Sequence, residues 1–421
     1  MPHPPDPRPA DPPPGLTLAS VPQATEALAQ ALASTAVERD RAGGHAAAQR
    51  QLIRDSGLLL LGIPRQYGGL QADWPTLYRT VRRLAQADSA LAHVFAFHHL
   101  QMATVLLYGD AGQHARLFSE TVSEGLFWGN ALNPLDTGLV ATPGPGGWRL
   151  DGLKSYASGS VGSDRLCLSA HVRPDAAVDA NVDANADGRP PAAPALLVAV
   201  LPTRTPGVTV REDWDSFGQR QTDSGTVQFD GVWLAQRDVL LAPGAKASPR
   251  ITLRPQLAQL VLTNLYLGIA QGAFEAARRF TLELARPWFT SGLTRAADDP
   301  VLQHRFGQLR LRVRAAELAA DVAVAELQLA MDAGDGVSAQ QRGELAIAVA
   351  ESKVMAHQAV GEVTHQMFEL MGARSTSQRH GLDRYWRNAR VHTLHDPVDQ
   401  KLRDIGRHAL EGVLPKVTPY S

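Results

Sequence analysis

Apolar residues recur near 3.6-residue spacing from about Thr25, at Leu28, Leu32 and Ala33 and again at Leu52, Leu58 and Leu59. That period predicts amphipathic helices through roughly the first 120 residues, with further helices over Trp74–Leu84 and Ser89–Leu107. Between Leu126 and Leu241 the pattern changes to short β-branched or alternating runs at 148–150, 166–172, 196–201, 208–211 and 227–234. These predict strands of a compact β-domain. After Pro249 the helical period returns, and helices are expected over 256–284, 300–333, 338–371 and 397–410. Four helices, three of them long, suit an antiparallel bundle.

Two segments lack either period. The opening MPHPPDPRPADPPPG carries too few apolar residues to offset the entropy of ordering it, so residues 1–24 are read as a disordered tail. Residues 174–194 contain the tandem VDANVDAN at 178–185 and are read as a solvated loop insertion. The chain therefore divides into a helical domain at 25–124, a β-domain at 125–245 and a helical bundle at 246–421.

Composition narrows the function classes. With 421 residues and 44% hydrophobic content the chain can bury a large core. Its 41 Lys plus Arg balance 42 Asp plus Glu, so no net field gathers nucleic acid or an anionic membrane. The apolar runs are read as shorter than the roughly 18 residues of a membrane span, and no signal peptide is read at the start. The lone Cys167 lies in an apolar run and reads as a buried small residue of a cytoplasmic protein. Neither a glycine-rich dinucleotide fingerprint nor a P-loop occurs.

Four motifs carry chemistry: FWGNALNP at 127–134, LDGLKSYASGSVGSDRL at 150–166, DWDSFGQRQTDSGTVQFDGV at 213–232, and FELMGARSTSQRHGLDRYWRNARVHTLHDP at 368–397. Together with the order helices, β, helices, they resemble the dibenzothiophene monooxygenase branch of the acyl-CoA dehydrogenase superfamily. The resemblance implies an α+β, mainly α fold that packs into homotetramers. It also implies a reduced flavin that forms a C4a-hydroperoxide with O2 and oxygenates a small apolar substrate of the organosulfur type. FMN is expected over FAD, because the chain has Gln366 but lacks the paired glycines of FAD-binding relatives. Without a nicotinamide site, the electrons would come from a separate NAD(P)H flavin reductase.

The same resemblance assigns residues. Dehydrogenases of this fold use a glutamate base, and Asp396 stands in its place. An Asp before a Pro that opens a helix is also an ordinary N-cap, which leaves His395 as the polar group facing the flavin. His93 shares a helix face with Phe97, and His392 lies three residues before His395. Catalytic roles fall to His395, His93, Ser158 and Asn130, and the substrate pocket to His93, Phe97, Trp214 and His392. Tyr156 and Ser158 resemble the strand passing the flavin ring, Ser158 near N5, while Asn130 is placed at a flavin carbonyl or the peroxide. Trp214 and Phe217 would wall the pocket, and Ser224 resembles a position near the flavin phosphate. Arg374 and Ser375, then Arg286, are candidates for that phosphate, with a neighbouring subunit as their source.

Plainer readings stand beside these: core histidines, turn hydroxyls, hairpin packing and surface arginines. Residues Trp288–Asp299 read as a mobile lid or a surface loop. Three other functions remain open: an acyl-CoA dehydrogenase with FAD and Asp396 as base, a di-iron site at Glu362 and His365 that lacks a second such motif, and a non-catalytic scaffold retaining the fold.

Overall fold

The computed structural model describes residues 16–172 and 195–421; the first 15 residues and the 174–194 insertion lie outside the described residues. Six helices come first: α1 (Val21–Ala33), α2 (Ala36–Ala42), α3 (Ala47–Asp55), α4 (Trp74–Ala87), α5 (Ser89–Tyr108) and α6 (Ala111–Glu124). Helix α1 starts four residues before the expected position. Pro22 sits in its first turn, where a missing N–H costs nothing, so that proline belongs to the helix and not to a tail. Helix α6 lies within the stretch expected to be helical, though its bounds were not given; Asp110 and Gln113 form a capping box at its start.

Eight strands follow: β1 (Trp128–Ala131), β2 (Leu139–Gly144), β3 (Gly147–Lys154), β4 (Arg165–Val172), β5 (Leu196–Pro202), β6 (Val208–Val210), β7 (Val227–Ala235) and β8 (Val239–Leu241). They form one sheet in the order β6-β7-β3-β2-β4-β5-β8, with β1 parallel to β4. Leu166, Leu168 and Ala170 of β4 pack into the core of the sheet itself. Cys167, between them, packs with the helices instead. A strand buried on both faces reads as the continuous apolar run seen in the sequence.

The remaining helices are α7 (Arg254–Glu283), α8 (Pro300–Asp332), α9 (Ala339–Met371), α10 (Asp383–Thr393) and α11 (Val398–Glu411). The three long ones pack side by side, with α10 and α11 against α9 and α4 against α7. Helix α10, which carries His392, was not foreseen. The reading that no segment could span a membrane is corrected as well: Ser89–Tyr108 and Ile251–Glu283 are long and apolar enough. Their apolar windows are 94% and 83% buried within the fold, as expected of central core helices.

One histidine ties sheet to helices. The backbone N–H of Trp128 donates to His98 Nδ1 at 3.2 Å, so the other ring nitrogen donates to the Leu59 carbonyl at 3.0 Å. This clamp holds β1 on α5 two residues before Asn130.

Candidate active site

A cavity of about 570 Å3 opens where the sheet meets α5, α7 and α10. Ten of the sequence-predicted residues line it: His93, Phe97, Asn130, Tyr156, Ser158, Trp214, Phe217, Ser224, His392 and His395. Five distant stretches of chain thus converge, around residues 93–97, 130, 156–158, 214–224 and 392–395.

Helix α5 supplies the apolar wall. His93 stacks on Phe97 with ring centres 4.1 Å apart and meets His392 edge-on at 4.9 Å. Burial holds the His93 imidazolium far below the ordinary range, with the neighbouring histidines adding to the effect. His392 is pushed down to about 3, again mainly by burial. Both rings are therefore neutral at physiological pH. Neither nitrogen of His93 has a partner in the protein although both are buried, and an unpaired polar group of this kind costs free energy unless a ligand satisfies it.

The β-side wall is a chain of hydroxyls. Thr222 Oγ1 donates to the Gln219 carbonyl at 3.0 Å and so accepts from Ser224 Oγ at 2.8 Å. Ser224 Oγ in turn lies 2.8 Å from Ser158 Oγ. Followed to its end, the chain spends the Ser158 hydrogen on Ser224 and leaves the Ser158 oxygen as an acceptor on the cavity. The two serines thus act at one point, whereas the sequence reading assigned them to opposite ends of the flavin. Asn130 is oriented by a bond from Gln101 Nε2 to its Oδ1 at 2.9 Å, which leaves its NH2 as a donor on the cavity.

Backbone strain gathers here. Among the described residues four non-glycines have positive φ; Tyr156 (54°) and Gln219 (52°) line the cavity and Asp223 (49°) adjoins it. Such conformations cost of order 1 kcal/mol or more and persist only where the surroundings hold them. At Asp223 the surroundings are Arg50 at 3.0 Å and His45 at 2.8 Å. The loop bearing Trp214 and Gln219 docks on α10 through Gly218, where a Cβ would lie 2.3 Å from the Arg387 carbonyl.

His395 follows α10 and is 41% exposed. Its Nδ1 lies 3.2 Å from Asp396 Oδ1, and the same carboxylate oxygen pairs with the buried Lys353 ammonium, which also donates to Gln259. Burial alone would raise the Asp396 carboxyl, but the hydrogen bond from His395 and the charge of Lys353 outweigh it and hold it well below the usual range. Burial brings the Lys353 ammonium down to about 8, still charged at neutrality. The expected helix cap is thereby corrected. Pro397 is the N-cap of α11 without any side-chain cap bond, and Asp396 turns inward to Lys353.

Arg286, Arg374 and Ser375 do not reach this cavity. Arg286 is exposed; Arg374 bonds the Leu284 carbonyl at 3.4 Å; Ser375 is buried and bonds its own turn at Gly372. The segment Trp288–Asp299 contributes nothing to the wall. Glu362 faces outward and pairs with Arg312 at 3.1 Å, and no cluster able to hold a metal occurs among the described residues. Conversely, the cavity contains residues that sequence reasoning missed, notably Arg254, Gln259 and Tyr420. Arg254 had a legible signal: a cation in the first turn of a helix opposes the helix dipole and calls for a reason.

Residues 20–124 and 260–400 match the acyl-CoA dehydrogenase N-terminal and C-terminal domains. The chain belongs to the acyl-CoA dehydrogenase family, in its flavin-dependent monooxygenase branch. It is 41% identical over 394 residues to a probable FMNH2-dependent monooxygenase, SfnC, of Pseudomonas putida, covering 94% of this chain and 95% of that one. Dibenzothiophene monooxygenase of Rhodococcus qingshengii is 40% identical over 399 residues, 92% of each chain. The solved methanesulfinate monooxygenase MsuC of Pseudomonas fluorescens superposes with a TM-score of 0.89 at 42% identity, covering 95% of this chain and 99% of that one.

Proposed function

We propose that this protein is the oxygenase of a two-component flavin monooxygenase, taking reduced FMN from a separate reductase and using O2 to oxygenate a small organosulfur compound. The observation that carries the reading is the junction of unsatisfied polar atoms and apolar wall in one cavity. His93 offers two unpartnered ring nitrogens, Asn130 a donor, and Ser158 an acceptor suited to the N5–H that only a reduced flavin carries. Flat apolar surface and a few placed polar groups are what a flavin ring requires.

Ser158, Asn130 and Tyr156 would hold the ring, and the flavin, when bound, supplies the two electrons that activate oxygen. The chain's own contribution is proton placement and dryness. Asp396 accepts from His395 Nδ1–H and so orients the ring; with that hydrogen committed, Nε2 delivers a proton to the oxygen that leaves as water only in the imidazolium form, in which both nitrogens are donors. Phe97, Leu100 and Leu262 keep bulk water from the reacting atoms. The candidate dehydrogenase base, Asp396, does not line the cavity and is committed to Lys353, and the carboxylate that does line it, Asp215, is exposed to solvent.

The relatives' names and the exposed face of α8 support two further points. Their substrates favour sulfur as the oxidised atom. Leu311, Leu318, Val322 and Leu329 share one side of α8, each at least 50% exposed, an apolar face suited to assembly as a homotetramer. Arg286 and Arg374 then fit as donors to the flavin phosphate of a neighbouring subunit, whereas Ser375, buried with its hydroxyl donated to the Gly372 carbonyl, does not.

The test is oxygen uptake and product mass with FMN, NADH, a flavin reductase and a panel of organosulfur compounds. His395→Ala should fold and bind flavin but divert turnover to hydrogen peroxide. Unchanged oxygenation by that variant removes His395 from the mechanism, and a protein that desaturates an acyl thioester while leaving O2 untouched ends the reading.

A further inference from the structure

The neighbours of Arg254 do not account for it. It is 8% exposed and opens α7, where the helix N-terminus already carries positive potential. Its one hydrogen bond is from Nε to Thr104 Oγ1 at 3.3 Å. Every other buried cation among the described residues has a carboxylate or carbonyl: Arg50 and Asp223, Arg82 and Asp321, Lys353 and Asp396, and carbonyls for Lys154, Arg342 and Lys401. A buried charge without a counter-charge is expensive. Arg254 also lines the cavity, beside Phe97, Leu100, Ala258 and Leu262.

From this juxtaposition of a buried, uncompensated guanidinium with apolar surface, we infer that Arg254 is the substrate's anion seat. The preferred substrate is then a small organosulfur oxyanion with a hydrocarbon group, such as an alkyl sulfinate, over a neutral thioether or thiophene. The inference rests on the monooxygenase reading and goes beyond the relatives, whose named substrates include both a neutral thiophene and a sulfinate. A guanidinium fork binds two oxyanion oxygens with parallel N–H bonds, and the apolar neighbours receive the alkyl group. The flavin's ribityl phosphate is a second source of anionic oxygen, but its hydroxyls would find no partners among Phe97, Leu100, Ala258 and Leu262. The reaction balances as R–SO2⁻ + O2 + FMNH2 giving R–SO3⁻ + FMN + H2O. The sulfur lone pair forms the new S–O bond, the O–O bond breaks, and the two electrons and two hydrogens come from reduced FMN.

The experiment compares wild type, Arg254→Met and Arg254→Lys with methanesulfinate and with neutral dimethyl sulfide, alongside FMN affinity by fluorescence quenching and thermal shift with methanesulfonate. The Met variant should raise KM for methanesulfinate roughly 10- to 100-fold, the loss of a charge-assisted pair, and should lose the methanesulfonate shift. Its preference for sulfinate over sulfide should fall at least about tenfold, the Lys variant should recover part of it, and FMN affinity should hold within about twofold. Equal losses on both substrates, an unchanged sulfinate KM, or an FMN affinity that falls with the charge each overturn the inference, the last by giving Arg254 to the cofactor phosphate. Wild type that oxygenates neither compound overturns the monooxygenase reading instead, while the methanesulfonate shift still reports the anion seat separately.

Discussion

Burial denies His93 and His392 a proton, while His395 alone among the cavity histidines has both solvent access and a carboxylate partner. That division of labour makes Asp396 a positioning residue. Asp396→Asn keeps the shape and removes the charge, leaving Lys353 buried without its counter-ion; the cost should be roughly 3 kcal/mol by urea denaturation. The same variant should leak peroxide in proportion to its loss of His395 orientation. An unaltered midpoint would show the pair to be dispensable. His98 gives a pH prediction. Its folded-state pKa is lowered to about 3 by burial, so the unfolded chain binds more protons between about 3 and the ordinary 6.5. Stability is fully present above that window and is lost as pH falls through it, by up to about 1.4 kcal/mol per pH unit. Denaturation curves at pH 7, 6 and 5 should show the slope, and His98→Gln should flatten it by about that amount.

At the level of elements, the helices and strands were largely legible because long stretches keep a single period. The bundle helices expected over 300–333 and 338–371 appear as Pro300–Asp332 and Ala339–Met371. What escaped was short or ambiguous. Helix α10 is brief, and its charged outer face hides the period. Asp396 followed by Pro397 satisfied every local rule for a cap, yet Lys353, 43 residues away in sequence, claimed the carboxylate. The two serines of the hydroxyl chain were each found, but not their contact, since nothing in either motif records that β-domain loops 66 residues apart meet. Arg254 was missed because no family motif marked it. Gly218 offers an element-scale test. Gly218→Ala forces a methyl onto the Arg387 carbonyl and should lift the 214–219 loop from α10, costing roughly 2 kcal/mol and weakening FMN binding. Undiminished flavin affinity would separate that docking from the site.

For the whole molecule, the cavity on one chain lacks the phosphate-binding arginines that the resemblance assigned, while Arg286 and Arg374 lie outside it near the ends of α7 and α9. The proposed homotetramer would resolve the mismatch by bringing those arginines to a neighbour's flavin, with the apolar side of α8 as its surface. Leu318→Glu with Leu329→Glu should shift the sedimenting species from tetramer to smaller forms and weaken FMN retention together. A variant that sediments unchanged would take α8 out of the assembly.

Cys167 stands opposite Asn130 in the register of β4 with β1, fully enclosed between sheet and helices, and burial pushes its thiol up to about 12. An alkylating reagent in the surrounding buffer therefore meets no reactive sulfur until these strands part. With a single cysteine in the chain, the labelling rate would act as a built-in clock for opening of the strand pair that holds Asn130, readable by mass without engineering a probe.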